Sequence, residues 1–258
     1  MSTADLAEPA AAPAVAAEGI GWRVGGAQIL EDVSLEVGPG ELVGIIGPNG
    51  AGKSSLLNIL SGVLRPTSGR VRIGDRDVTH RTATRRARLG MARSFQTSAL
   101  FDGLPARENV RLALQASRGR ASSPWRLVRG SRDVATVDGL LGRVRMPGKG
   151  SVTAGGLSHG DRRKLELAMA LASEPSVLLL DEPMAGVSAE DVDGLSAIIG
   201  EVRDAGVAVA MVEHHMDVVL GLADRVAVLH HGQLLSVGTA DAVTGDERVQ
   251  QAYLGEAL

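Results

Sequence analysis

The sequence predicts an α/β fold: a mostly parallel core sheet, an antiparallel β subdomain and an inserted helical subdomain. Three observations carry this. Apolar runs of strand length alternate with helical patterns, as in ELVGII before LLNIL and SVLLLDEP before the helix of 189–205. Residues 69–79 read as a hairpin turning at Gly74 and Asp75. Residues 104–172 are mostly helical in pattern, broken by a Ser, Arg and Gly stretch at 117–132.

In chain order, residues 1–18 read as a disordered tail, rich in Ala and Pro, with Asp5 and Glu8 where a signal peptide would carry Lys or Arg. Short β-type runs follow at 20–24 and 27–37. The strand ELVGII then enters a glycine-rich loop at Gly47, and a helix begins at once. Its apolar positions Leu56, Leu57, Leu60, Val63 and Leu64 share one face, and Arg65 and Pro66 mark its exit. Beyond Ser176 come a strand at VLLLDEP, a helix, a strand at VAVAMVEH, and two strands around His231 and Gly232. The expected organisation is a nucleotide-binding core with its antiparallel subdomain at 19–95 and 174–258, and a helical subdomain at 96–173.

Composition narrows the function classes. The 258 residues carry 44% hydrophobic and 22% charged side chains and a formal net charge of -3, so neither disorder nor a broad polyanion-binding surface is implied, and no nucleic acid partner is expected. The absence of cysteine removes disulfides, thiolate metal sites and thiol catalysis together. No apolar run approaches the roughly 18 to 20 residues that span a bilayer. Arginines 81, 85, 86, 88 and 93 lack interleaved aromatics and read as a solvated helix face. A second cluster, Arg118, Arg120, Arg126, Arg129 and Arg132 with Trp125, receives no role.

Two segments carry chemistry. Residues 47–55 (Gly47, Pro48, Asn49, Gly50, Ala51, Gly52, Lys53, Ser54, Ser55) fit the phosphate-binding pattern G-x-x-x-x-G-K-[ST] between a strand and a helix. Gly50 and Gly52 let backbone N–H groups approach phosphate oxygens, and the following helix N-terminus adds partial positive charge. Lys53 would meet the β- and γ-phosphates, and Ser54 would ligate Mg²⁺. In the second segment Asp181 ends an apolar strand, where an anion suits the magnesium shell, and Glu182 follows as a carboxylate able to polarise an attacking water. His214 and His215 invite a metal reading, but neighbouring strand residues point to opposite faces and no third ligand is placed nearby, so zinc is not predicted.

With LSHGDRRKLELAMAL at 157–171 just upstream of the second segment, residues 19–258 resemble the nucleotide-binding subunit of ABC transporters, a P-loop NTPase cassette. The resemblance implies ATP and Mg²⁺ as ligands, and a second ATP-binding subunit whose site is completed in trans by Ser158 and Gly160. It makes Gln96 the residue that senses Mg²⁺ and water, and His214 the switch histidine at the γ-phosphate. It also implies integral membrane permease subunits, indirectly a solute-binding protein, and a peripheral place on the cytoplasmic face of the membrane. Departures from the family pattern are His159, Asp161, Ser188, His215 and Val24, which stands where an aromatic usually stacks on adenine. Trp22, two residues earlier, is the other candidate for that contact.

The segments GMARSFQTSALFDGLPARENV, VEHHMDVVLGLADRVAVL and RVQQAYLGE look most like ATPases of branched-chain amino acid uptake systems and related urea or amide importers. The alternatives are a lipopolysaccharide-exporter ATPase, which ends in a similar tyrosine-leucine-glycine sequence, and a soluble ABC ATPase acting on ribosomes or DNA. The latter usually carries two cassettes or a long coiled coil, and this chain has neither.

Overall fold

The computed structural model describes residues 12–94, 100–118 and 131–254. The strands β1 (Val15–Val24) and β2 (Ala27–Val37) are followed by β3 (Leu42–Ile46), helix α1 (Lys53–Ser61), β4 (Ser68–Ile73), β5 (Arg76–Asp77), α2 (Ala83–Ala87) and β6 (Met91–Arg93). Three helices come next: α3 (Ala106–Ser117), α4 (Ser131–Arg143) and α5 (His159–Leu171). The chain then runs through β7 (Val177–Asp181), α6 (Ala189–Asp204), β8 (Ala208–Val212), α7 (Met216–Leu222), β9 (Arg225–His230), β10 (Gln233–Gly238), α8 (Ala240–Thr244) and α9 (Glu247–Leu254).

The central sheet has the order β10-β9-β3-β8-β7-β6 and is parallel except for β10, which pairs antiparallel with β9. A second sheet, β2-β1-β4-β5, is antiparallel throughout. Alternate residues of each central strand enter different cores, as the period of two requires. Leu178, Leu180, Val209 and Met211 join α3 to α7 on one face. Val177, Leu179, Ala210 and Val212 join α1 and the second sheet on the other. Because both faces are covered, β3, β7 and β8 are buried at every residue, which is why they read as unbroken apolar runs.

Helix α1 shows how one core is closed. Leu56, Leu57 and Leu60 are at most 2% exposed, each contributing about 1.5–3 kcal/mol of burial. The helix stops at Ser61, two residues before Val63, because Gly62 adopts a left-handed φ of 79° as its cap. Val63 is therefore exposed rather than on the apolar face expected for it.

Three other expectations need correction. Strand β1 begins at Val15, inside the stretch read as tail, because Val15, Ala16 and Ala17 are buried; residues 1–11 lie outside the described residues. Arg86 is 1% exposed, not solvated. Its guanidinium donates to the carbonyls of Ile59, Leu60, Thr79 and Arg81, satisfying the end of α1, and burial draws its pKa down to about 10. Arg93 is also largely withdrawn from solvent, its side chain 9% exposed, while Arg81, Arg85 and Arg88 are exposed. In the second arginine cluster, Arg118 pairs with Asp133; Arg120, Trp125, Arg126, Arg129 and the Arg132 side chain lie outside the described residues.

Candidate functional site

Parallel strands deliver their following loops to one edge of a sheet, and ligands of such folds bind there. The loop after β3 carries residues 47–52, β7 ends at Asp181, and the turn after β8 carries His214. Beside these strand ends lies a cleft of about 500 Å³ lined by Asn49 to Ser55 together with Glu182, His214, Trp22, Val24 and Ile29.

The loop's shape is fixed by its surroundings. A Cβ at Gly47, where φ is 149°, would sit 2.0 Å from the Leu229 carbonyl oxygen, and one at Gly52 would meet the Leu30 side chain at 2.6 Å. Gly50, with φ at 81°, meets nothing within 4 Å. Lys53 is 6% exposed, and its ammonium donates to the carbonyls of Gly47 at 2.6 Å and Pro48 at 2.8 Å, so a strong cation is held inside the loop. Ser54 and Ser55 open α1, whose unpaired N–H groups make that end favourable for an anion.

Asp181 is 3% exposed. One of its oxygens, Oδ2, accepts from the Arg93 guanidinium at 2.8 Å, while Oδ1 is buried with no hydrogen-bond partner among the described residues. An orphaned carboxylate oxygen of this kind suits a hard cation, and the hydroxyl of Ser54 is chemically a fitting companion ligand. Glu182 turns sharply out of the strand with φ at 50°, a conformation costing a non-glycine residue about 1–2 kcal/mol. That turn brings its side chain into the cleft, where Oε1 lies 3.0 Å from Nε2 of His214.

Sequence reasoning missed Glu213. Its carboxylate is 2% exposed, accepts from the Met184 N–H at 2.7 Å and from the His214 N–H at 2.9 Å, and so ties the turn after β7 to the turn after β8. Its place after an apolar strand, beside the two histidines, was the available signal. Tyr253 of α9 was missed as well: it is half-buried, and burial pushes its pKa up to about 12 against the opposing pull of the Gly47 backbone.

Ser158 and Gly160 are not in the cleft. Ser158 caps α5, its hydroxyl accepting from the Asp161 N–H at 3.2 Å. A Cβ at Gly160 would meet Asp191 Oδ2 at 2.6 Å. Asp191 accepts from Lys164 at 2.9 Å and from Ser188 at 3.1 Å, which holds its carboxyl below the ordinary 3.8 and ties α6 to α5. His159 lies 3.0 Å from the Ala185 carbonyl, linking the same helix to the turn that follows Glu182. Asp161 pairs with Lys149. Gln96 lies outside the described residues.

Known proteins share this fold. The family model for ABC transporters matches residues 30–185. The chain is 32% identical to the high-affinity branched-chain amino acid transport ATP-binding protein LivG of Escherichia coli (strain K12), over 95% of this chain and 99% of that one. It is 33% identical to the lipopolysaccharide export system ATP-binding protein LptB of Acidithiobacillus ferridurans, over 88% and 91%. The crystal structure of the ADP conformation of MJ1267, an ATP-binding cassette of an ABC transporter, superposes with a TM-score of 0.85 at 27% identity, covering 95% of this chain and 99% of that one. Among the described residues no helix is long and apolar enough to cross a membrane. The cleft at the ends of β3, β7 and β8 thus sits in a fold shared along nearly the whole chain, and the protein belongs to the ABC transporter family as an ATP-binding, ATP-hydrolysing subunit.

Proposed function

We propose that this ATPase powers uptake of a small polar solute, in the manner of the branched-chain amino acid systems, through separate membrane permease subunits. The likeness to LivG over 95% of the chain supports the substrate class, together with the three segments around Arg93, His214 and Tyr253.

The family resemblance and the geometry of the cleft support the following roles. Asn49 to Gly52 offer backbone N–H groups to the phosphates, and Lys53 leaves the loop carbonyls to neutralise them. Ser54 and Asp181 would hold Mg²⁺, with Gln96 as a further ligand, and the ion would neutralise charge on the phosphate oxygens. Glu182 orients and deprotonates the attacking water, and His214 holds both Glu182 and the γ-phosphate in place. Trp22 or Val24, both lining the cleft, would contact the adenine. Ser158 and Gly160, remote from the chain's own cleft, complete the site of a second subunit, and a monomer is therefore expected to turn over slowly.

The single observation carrying this mechanism is the pairing of Glu182 with His214 beside the phosphate loop. Deleting the gene in its own host and measuring uptake of labelled leucine, isoleucine and valine tests the transport assignment. Uptake is expected to fall and to return with the wild-type gene but not with Glu182→Gln. Unchanged uptake with loss of surface lipopolysaccharide would favour the LptB-like reading instead.

A further inference from the structure

We propose that Arg93 is a positioning residue for the magnesium site, setting the orientation of Asp181 relative to α1. The inference rests on the reading of Asp181 as the magnesium carboxylate. The Arg93 side chain is 9% exposed and divides its guanidinium between two elements. Nη2 donates to Asp181 Oδ2 at 2.8 Å. Nη1 donates to Asn58 Oδ1 at 2.6 Å and to Ser61 Oγ at 2.8 Å, both on α1.

Spacing on α1 gives this link its meaning. Ser54, Asn58 and Ser61 stand at i, i+4 and i+7, so they share one face of the helix. The face presenting the serine hydroxyl proposed for Mg²⁺ is therefore the face gripped by Arg93. Asp181, at the end of β7, is gripped by the other arm of the same planar group. A guanidinium suits this task because its donors are rigidly spaced, where a lysine would supply only a point charge. The fork occupies Oδ2 and leaves Oδ1, buried and without a partner among the described residues, for the ion.

A competing role would have Arg93 occupy the cation's place and yield it. The tether to Asn58 and Ser61 argues against this, since a departing guanidinium would strand the half-buried Asn58 and buried Ser61 acceptors on α1. A purely structural ion pair is the other rival, because breaking a buried pair loosens the fold generally.

The test is ATP binding to the full chain by calorimetry, first in EDTA and then across a Mg²⁺ series. For Arg93→Gln, the half-saturating Mg²⁺ is expected to rise roughly tenfold or more, while ATP affinity in EDTA stays within about twofold. An unchanged or lower Mg²⁺ requirement overturns the proposal, as does an equal loss in EDTA. Arg93→Lys should fall between wild type and Arg93→Gln. Should Arg93→Gln fail to fold, Asn58→Ala combined with Ser61→Ala decides: it leaves the ion pair but removes the tether, and the Mg²⁺ requirement is again expected to rise. Asp181→Asn runs in parallel. If it keeps the wild-type Mg²⁺ dependence, the reading of Asp181 fails; if it loses that dependence while the Arg93 and tether variants do not, only the Arg93 inference fails.

Discussion

Nε2 of His214 lies 3.0 Å from Oε1 of Glu182, across the turns that follow β8 and β7. The backbone beneath the pair is braced by Glu213, which binds both turns at once. Glu182 is thus held by its neighbours in a conformation it would not choose alone. Glu182→Gln keeps the side chain's shape and removes the base. ATP binding should persist while turnover falls by roughly 100-fold or more. Paired measurements of nucleotide affinity and phosphate release check this, and unchanged turnover would remove Glu182 from the role of base.

Because Ser158 and Gly160 do not line the chain's own cleft, turnover should depend on association. Specific activity is expected to rise with protein concentration and to drop by about 100-fold on dilution to monomer, as loss of a transition-state donor requires. Full activity in a sample shown to be monomeric by ultracentrifugation would remove the trans assignment.

Gly47→Ala and Gly50→Ala should differ in kind. The first drives a Cβ to within 2.0 Å of the Leu229 carbonyl, so the loop must move and both melting temperature and ATP affinity should fall. The second meets no atom and carries only the backbone strain of φ 81°, about 1–2 kcal/mol. Thermal melts with and without ATP separate the two, and equal melting losses would contradict this account.

Asp191 should contribute a pH-dependent increment of stability. Its carboxyl is held below 3.8 chiefly by Lys164, so the unfolded chain takes up its proton first as pH falls. The contribution is present above 3.8 and lost as pH drops through the lower native value. Asp191→Asn should lower the unfolding free energy from urea titration near neutral pH, by less than about 1 kcal/mol for a partly exposed pair. The gap to wild type should close in acid; a gap that widened would reverse the sign.

Much of the fold was legible because the central strands are buried on both faces and read as plain apolar runs. The phosphate loop was legible because its glycines and lysine sit at fixed spacing between a strand and a helix. Arg86 and Arg93 were not. Arginines spaced along a short helix and strand look solvated, and only the three-dimensional path shows the end of α1 and the carboxylate of Asp181 waiting for donors. Glu213 escaped for the same reason: its two partners lie on different turns, 29 residues apart in one case. The end of α1 was misplaced because Val63 continues the apolar period past the glycine that breaks the helix.

The glycines of the phosphate loop answer to two masters. Gly47 and Gly52 are compressed by Leu229 and Leu30, so packing preserves them, whereas Gly50 is kept only by its left-handed φ of 81°, a Cβ there meeting none of the described residues within 4 Å. A descendant of this chain that abandoned nucleotides would therefore keep the outer glycines for generations while the middle one drifted. In a decaying cassette, the residue at position 50 is the earlier clock of lost activity, and an intact outline of the motif is no certificate that the engine still runs.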